Sequence, residues 1–199
     1  MKPTEAFWAG DFGKEYHQRQ TVTDEANQAL MTRIIERTTG VKSVAELGAG
    51  AGLNLRALNA FYPDMQLCGV EINAQACQEI LKVPGATAVQ CSVLEWRPTI
   101  QFDLTFTKGL LIHIPPDDLP AAYATLVNSS KRYVAICEYF NPSPIDIQYR
   151  GYAGRLWKRD FAKEIMDAHG LRLVDYGFVY KNGPNAQDNI TWFLMEKTR

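Results

Sequence analysis

The 199-residue sequence lacks the features that mark several classes of protein. No apolar run approaches the ~20 residues that a membrane-spanning helix needs. The first thirteen residues show no basic segment leading into an apolar one, so we expect no secretory signal. The formal net charge is only -1, which provides no strong field for a nucleic acid or an anionic membrane. These absences favour a cytoplasmic protein with a small-molecule partner, and they leave the oligomeric state open.

Cysteine and histidine are also scarce. The four cysteines are Cys68, Cys77, Cys91 and Cys137, and none forms a C-x-x-C pair. Each lies in an apolar stretch, so we expect small buried side chains in a reducing compartment, with neither a disulfide nor a metal site.

Strand-like and helix-like segments alternate along the chain, which predicts one α/β domain over residues 1–199. The predicted strands are 43–47, 66–70, 86–91, 102–107, 133–138, 171–180 and 190–196. The predicted helices are 24–39, 53–60, 73–82, 117–127 and 158–169. This alternation predicts a Rossmann-like, seven-stranded, mostly parallel sheet with helices on both faces. The last two strands follow each other without a helix, which predicts an antiparallel C-terminal hairpin at one edge.

Two segments fall outside this alternation. Residues 1–20 are predicted to form an N-terminal lid, in which Trp8, Phe12 and Tyr16 share one helical face through their four-residue spacing. Ordinary core packing of that helix is the alternative. Residues 139–157 are predicted to be a long loop over the substrate, because long loops above a crevice are commonly functional.

The most informative motif is Glu46-Leu-Gly48-Ala-Gly50-Ala-Gly52, placed where a strand passes into a helix. Glycine permits a tight turn and a close approach of backbone to ligand. The motif resembles the E/D-x-G-x-G-x-G turn of class I methyltransferases. Its rival is the dinucleotide fingerprint G-x-G-x-x-G, which Leu53 and the terminal hairpin disfavour. A purely structural turn is the third possibility.

Later strand ends support the cofactor hypothesis. Glu71 ends the second strand about 20 residues past the glycines, where a carboxylate suits the ribose diol, although it could instead cap the next helix. Ile72, Ser92 and Val93 are expected beside adenine. The ends of parallel strands build the ligand crevice, so residues 107–109 are expected at its methionine or acceptor end. The residues predicted to hold S-adenosylmethionine are Trp8, Tyr16, Arg19, Glu46, Gly48, Gly50, Gly52, Asn54, Glu71, Ile72, Ser92, Val93, Thr107, Lys108 and Gly109.

The chain as a whole resembles a smaller group, the methyltransferases associated with pseudaminic acid biosynthesis. The resemblance covers nearly the whole sequence and rests on the motifs FWAGDFG (7–13), ELG (46–48), GLNLRAL (52–58), GVEIN (69–73), TKG (107–109), IHI (112–114), CEY (137–139), YRG (149–151), VDYGFVY (174–180), QD (187–188) and ITWFL (190–194). It implies the class I fold, use of S-adenosylmethionine, and a nonulosonic acid or related sugar as a lead for the acceptor. The Ala49-Gly50-Ala51 stretch departs from the group's pattern, which is compatible with another acceptor.

Four residues are candidates for the chemistry. His113 follows the fourth strand and has the side chain best suited to act as a base near neutral pH. Glu138 ends the fifth strand and could act as a base or bind a cationic acceptor. Tyr149 and Arg150 lie in the 139–157 segment, and Arg150 suits a carboxylate or phosphate on the acceptor. A loop hydrogen bond for His113, a salt bridge for Glu138 and a solvated charge for Arg150 are the structural alternatives.

The leading hypothesis is therefore methyl transfer to a small polar metabolite. N-methylation of a small amine or guanidine, with Glu138 as the cation site, is the first alternative. A non-catalytic cofactor-binding module is the second. Nucleic-acid methylation fits poorly, because the chain has no basic appendage and residues 107–110 replace the N-P-P-[YFW] type of motif.

Overall fold

The computed structural model describes residues 1–18 and 22–198. Seven strands form one sheet in the order β3-β2-β1-β4-β5-β9-β8. They are β1 (Ser43–Leu47), β2 (Gln66–Glu71), β3 (Ala86–Gln90), β4 (Phe102–Lys108), β5 (Ser130–Glu138), β8 (Leu171–Val179) and β9 (Ile190–Lys197). The first five are parallel neighbours, and β9 and β8 add antiparallel pairs at one edge. The predicted sheet and its C-terminal hairpin are confirmed.

Seven α-helices lie in the described part of the chain. They are α1 (Pro3–Ala9), α2 (Asp11–Gln18), α3 (Asp24–Ile35), α4 (Leu53–Phe61), α5 (Ala74–Ile80), α6 (Leu119–Asn128) and α7 (Phe161–His169). Helices α3, α4 and α5 supply buried side chains to a core on one face of the sheet, and α6 and α7 supply those on the other. All five residues of β1 are buried, as expected for a central strand covered on both faces.

The register of the parallel strands determines which side chains meet at the crevice. Leu47 pairs with Val70 on one side and with Thr107 on the other, and Lys108 pairs with Cys137. The carboxyl ends of β1, β2, β4 and β5 therefore finish at the same edge. The turns that follow these strands are the segments from which a ligand site can be built.

The segment 139–157 differs from its prediction as a loop. Strands β6 (Ile145–Tyr149) and β7 (Tyr152–Lys158) form a separate two-stranded antiparallel hairpin. Arg150 and Gly151, at φ +49° and +87°, make its turn, and two successive positive φ values are what a tight hairpin turn with right-handed strand twist requires. The alternation of β-branched and aromatic residues with polar ones over residues 145–149 was the signal for a strand.

Two predicted helix starts were too early. The α6 helix begins at Leu119, because residues Pro116–Asp118 form a 3-10 turn first. The α7 helix begins at Phe161, because Lys158 still belongs to β7. The cap of α7 is Asp160, whose side chain accepts from the backbone N–H of Lys163 at 3.0 Å.

Candidate functional site

A cavity of about 490 Å³ lies at the carboxyl ends of the central strands, roofed by the N-terminal helices and the β6–β7 hairpin. Most of the predicted site residues line it: Trp8, Tyr16, Glu46, Gly48, Gly50, Asn54, Glu71, Ile72, Ser92, Val93, Lys108, Gly109, His113, Glu138, Tyr149 and Arg150. Gly52 and Thr107 do not line it. Arg19 lies outside the described residues. The strand ends thus bring residues from distant parts of the sequence to one cavity.

The glycine turn has the backbone that only glycine adopts easily. Gly48, Gly50 and Gly52 have φ values of +71°, +53° and +75°. A Cβ on Gly48 would lie 2.7 Å from Cδ1 of Leu110, so the space above this glycine is filled by the segment after β4. A Cβ on Gly52 would meet Ile80 at 3.2 Å. Gly52 therefore allows α4 and α5 to pack closely, and this is why it shapes the turn without lining the cavity.

Glu71 holds two strand-end turns together. One carboxylate oxygen accepts from the backbone N–H of Gly50 at 2.8 Å, and the other accepts from the N–H of Asn73 at 2.8 Å. Asn73 itself caps α5 through its side chain. Each carboxylate oxygen can accept more than one hydrogen bond, so Glu71 keeps acceptor capacity for hydroxyl groups in the cavity.

A second polar set lies at the end of β1. Nδ2 of Asn54 donates to one oxygen of the buried Glu46 at 2.5 Å. The other oxygen of Glu46 and Oδ1 of Asn54 have no partner among the described residues. Burial raises the pKa of Glu46 to about 8. Burial also lowers the pKa of Lys108, which donates to Oδ1 of Asn27 at 2.7 Å. Buried polar atoms without partners at a cavity are the atoms expected to bind a ligand.

Sequence reasoning missed several polar residues at this site. Asn27 binds Lys108, and its Nδ2 is buried without a partner among the described residues. Gln187 donates to the carbonyl of Ala26 at 2.9 Å, and Asp188 lines the cavity and accepts from the Tyr139 hydroxyl at 3.2 Å. A signal for Asn27 did exist, because it shares the buried face of α3 with Leu30, Met31 and Ile34. A polar residue on an apolar helix face marks a position that needs a partner.

His113 lies beneath the aromatic roof. Its Nδ1 is 2.7 Å from the backbone carbonyl oxygen of Arg155 in β7. A carbonyl only accepts, so Nδ1 carries the proton and Nε2 keeps its lone pair. Burial lowers the pKa of His113 to about 4. The ring packs against Trp8 and Tyr149, with centroid distances of 4.6 and 4.9 Å. At neutral pH His113 is therefore a neutral imidazole, whose Nε2 can accept a hydrogen bond but is a weak base.

Glu138 is occupied by its own protein. One oxygen accepts from the Thr107 hydroxyl at 3.0 Å and from the N–H groups of Leu110 and Leu111 at 3.1 and 3.0 Å. The side chain is only 2% exposed, and burial raises its pKa to about 7. These contacts hold the turn after β4 in place. Thr107 therefore supports the site through Glu138, although it does not line the cavity. The roles of Glu138 as base or cation site stay predictions.

The roof is built from two segments that pack on each other. Phe7 of α1 contacts Tyr152 of β7 at 5.3 Å between ring centroids, and Phe12 of α2 contacts Tyr149 of β6 at 6.2 Å. Trp8 meets Tyr16 edge-on at 5.4 Å. Nε1 of Trp8 is buried without a partner among the described residues, although Trp8 lines the cavity. The aromatic side chains of α1 and α2 therefore pack against one another and also cover the cavity.

Arg150 lies at the tip of the hairpin, on the rim of the cavity. It is exposed, and its guanidinium is 5.8 Å from the ring centroid of Tyr149. None of the ion pairs found among the described residues involves Arg150. A guanidinium in this position has donors available for an anionic group.

The described residues offer neither a membrane-spanning helix nor a metal-binding cluster. Within residues 1–18 and 22–198, no helix is long and apolar enough to cross a membrane. Over the same ranges, no group of three or more His, Cys, Asp and Glu side chains is placed to hold a metal ion. All four cysteines are free thiols.

No family model matches the chain, and no curated protein matches it in sequence. Solved structures match it over nearly its whole length. The 1,6-didemethyltoxoflavin-N1-methyltransferase of Burkholderia thailandensis, solved with that compound and S-adenosylhomocysteine, superposes with a TM-score of 0.77 at 18% identity, covering 100% of this chain and 92% of that one. The chain has the class I methyltransferase fold. The magnesium protoporphyrin IX methyltransferase of Synechocystis PCC 6803 matches at a TM-score of 0.72 and 12% identity, covering 98% and 97% of the two chains. The sugar N-methyltransferase KedS8 of Streptoalloteichus sp. matches at 0.70 and 13%, covering 96% and 94%.

Proposed function

We propose that this protein is an S-adenosylmethionine-dependent methyltransferase that acts on a small molecule. The observation that carries the proposal is the arrangement at the end of β1. The turn after β1 contains three glycines with left-handed backbone, and it borders the cavity. Glu71 lies beside this turn and accepts from the N–H of Gly50. Glu46 and Asn54 each place a buried oxygen without a partner among the described residues next to it.

The donor and acceptor set fits the parts of this cofactor. Glu71 has lone pairs for the ribose hydroxyls, and Ile72 and Val93 offer apolar contacts to the adenine face. Asn54 and, once it is ionised, Glu46 have free acceptor atoms for an ammonium group, and Lys108 suits a carboxylate. These are the groups at the two ends of S-adenosylmethionine. The crystallised relatives with S-adenosylhomocysteine bound support the same assignment.

When bound, the sulfonium supplies an electrophilic methyl group, and the protein supplies position and a dry environment. The N-terminal lid and the β6–β7 hairpin would cover the cavity and keep water from the acceptor. We propose that Nε2 of His113 orients the acceptor through a hydrogen bond. Its lowered pKa, about 4, suits an acceptor that loses its proton readily or needs only a weak base.

The acceptor is proposed as a small polar metabolite. A nonulosonic acid or related sugar stays the prediction of the sequence resemblance, and the exposed guanidinium of Arg150 would suit its carboxylate. The structural neighbours described as a 1,6-didemethyltoxoflavin-N1-methyltransferase and a sugar N-methyltransferase support a small acceptor. N-methylation with Glu138 as the cation site stays the alternative prediction: Oε1 takes three hydrogen bonds from the turn after β4, whereas Oε2 accepts only from the N–H of Ile112 at 3.4 Å. A cytoplasmic location stays a prediction.

Calorimetric titration with S-adenosylmethionine, S-adenosylhomocysteine and NADH tests the proposal, with Gly50→Arg as the variant that fills the turn. We expect micromolar binding of the two adenosyl ligands, none of NADH, and loss of binding in the variant. Transfer of a labelled methyl group to a panel of sialic-type sugar acids, amino sugars and planar heterocycles would then identify the acceptor class. Binding of NADH in place of the adenosyl ligands would overturn the proposal. Adenosyl binding without transfer to any compound in a broad panel would favour the non-catalytic module.

A further inference from the structure

The N-terminal helix carries a carboxylate to the far end of the cavity. Glu5 lies in α1, yet one of its oxygens accepts from the hydroxyl of Ser92, which follows β3 and is 87 residues away in the sequence. Its other oxygen accepts from the backbone N–H of Lys2 at 2.6 Å. Glu5 and Ser92 both line the cavity. None of the sequence motifs pointed to Glu5.

Two further contacts hold α1 in this place. The ammonium of Lys2 pairs with Asp118 in the turn before α6. Nδ2 of Asn73 donates to the carbonyls of Trp8 and Ala9 at 3.3 and 3.2 Å, which ties the end of α1 to the start of α5. Glu5 is therefore carried by a helix fixed at both ends, and its carboxylate has a defined position.

The other groups at this end of the cavity offer few acceptor atoms. Ile72, Val93 and Leu94 line it with apolar side chains. The hydroxyl of Ser92 gives its one proton to Glu5 and accepts from the N–H of Leu94 at 3.1 Å. One oxygen of Glu5 accepts from Ser92 and the other from the backbone N–H of Lys2, so each keeps a lone pair. Asp118 also lines the cavity, but its carboxylate is paired with the Lys2 ammonium, so the carboxylate of Glu5, bonded to Ser92, is the acceptor placed beside these apolar side chains.

Glu5 is an anion at neutral pH. Partial burial alone would raise its pKa, but the hydrogen bonds from Ser92 and Lys2 outweigh that effect, and the pKa is lowered. An ionised carboxylate accepts hydrogen bonds and donates none. It should therefore favour an amino group and repel a carbonyl oxygen.

We propose that Glu5 recognises the exocyclic amino group of adenine and sets the base specificity of the cofactor site. This inference rests on the proposed function, since residues 71–72 and 92–94 must hold the adenosyl group. The residue that identifies the base would then belong to the same helix that roofs the cavity with Phe7 and Trp8. Binding of the correct base would help to hold that helix in place.

The test compares S-adenosylhomocysteine with S-inosylhomocysteine, which differs by an oxygen in place of the amino group and a proton on N1. Calorimetry gives the ratio of the two Kd values for the unaltered protein and for Glu5→Gln. We expect the unaltered protein to bind the adenosyl ligand at least about tenfold more tightly, because a carboxylate facing a carbonyl leaves both groups without a donor. In Glu5→Gln the ratio should fall by about tenfold or more, since an amide can donate to the inosine oxygen.

The variants are chosen so that folding does not confuse the result. Glutamine at this position can still accept from the N–H of Lys2, as the start of the helix requires. Glu95→Gln is the matched control, because Glu95 is exposed, lies three residues after Ser92 and does not line the cavity. Ser92→Ala should lower the ratio in part, because Glu5 loses its partner. Melting temperatures near that of the unaltered protein would verify the fold.

The outcomes separate the two proposals. If the ratio of the two Kd values is the same in the unaltered protein and in Glu5→Gln, while the adenosyl ligand still binds, the role of Glu5 is overturned and the proposed function stands. A drop in the ratio for Glu95→Gln as large as for Glu5→Gln would also overturn it, since charge alone would then explain the effect. Binding of neither ligand to the unaltered protein would overturn the proposed function itself.

Discussion

Nδ1 of His113 lies 2.7 Å from the carbonyl oxygen of Arg155, so the β6–β7 hairpin determines which nitrogen of this histidine carries its proton. The hairpin is far along the chain from the 3-10 turn Leu111–His113 that holds the ring. One backbone contact thus links the proposed substrate hairpin to the residue proposed to orient the acceptor.

This contact and the burial of the ring predict a pH dependence of stability. The pKa of His113 falls from 6.5 to about 4 in the folded protein, so the unfolded chain binds more protons between these values. Its contribution is complete above pH 6.5 and is lost as pH falls towards 4, by up to about 3 kcal/mol. We expect His113→Gln to flatten the fall in unfolding free energy between pH 6.5 and 4, measured by urea denaturation.

Glu138 contributes with the opposite sign, so the unaltered protein alone does not isolate His113. Burial raises the pKa of Glu138 from 4.5 to about 7, and the stability associated with its proton is lost as pH rises through that range. The difference between the unaltered protein and His113→Gln cancels this contribution. A difference that is constant from pH 7 to pH 4 would contradict the burial of a neutral imidazole.

Glu138→Ala should destabilise the turn after β4. It leaves the N–H groups of Leu110 and Leu111 buried without an acceptor, which costs about 3 kcal/mol for the set. Urea denaturation at pH 7 measures the loss, and Glu25→Ala, at an exposed position of α3, is the control. A loss below about 1 kcal/mol would mean that water or another group replaces the carboxylate.

Gly48→Ala and Gly85→Ala form a matched pair. Both glycines have positive φ, +71° and +72°, so both substitutions carry the same backbone strain of about 1 kcal/mol. Only at Gly48 would the new Cβ lie 2.7 Å from Leu110, whereas nothing lies within 4 Å at Gly85. We expect Gly48→Ala to weaken S-adenosylhomocysteine binding by tenfold or more, while Gly85→Ala leaves it unchanged. Equal Kd values in calorimetry would show that the glycine turn is not part of the ligand site.

Asp103 lies away from the cavity, and we expect its removal to affect stability without affecting ligand binding. One of its oxygens accepts from the N–H groups of Lys42 and Ser43, both at 2.9 Å, at the opposite edge of the sheet. Asp103→Ala, which removes this acceptor, should cost about 1–3 kcal/mol of unfolding free energy and leave the Kd for S-adenosylhomocysteine unaltered. Partial burial would raise the pKa of Asp103, but its hydrogen bonds outweigh this and lower it. Its contribution is therefore present above the usual aspartate pKa and lost as pH falls below it. A change in Kd would indicate that the two edges of the sheet are coupled.

The alternation of apolar segments was enough to predict the sheet, because a central strand such as Ser43–Leu47 must be apolar wherever it is buried on both faces. Glycines at a strand-to-helix turn and an acid at the next strand end were equally visible, since both are local patterns. The hairpin within residues 139–157 was missed although its alternation was present, because a long connection after a terminal parallel strand was expected to be a loop.

By itself, the sequence determined the fold class, the glycine turn and the edge of the sheet at which the site lies, because propensity, periodicity and strand order are properties of neighbouring residues. Only the tertiary structure decided what each polar side chain does. Glu138 and Glu71 both end strands, yet one oxygen of Glu138 takes three hydrogen bonds from Thr107 and the turn after β4, whereas each oxygen of Glu71 takes one and keeps a lone pair for a ligand. Glu5 and Asn27 gain their positions from residues 87 and 81 places away. Such contacts depend on how helices and strands pack, and no local pattern encodes the distance between two atoms that meet only in the folded chain.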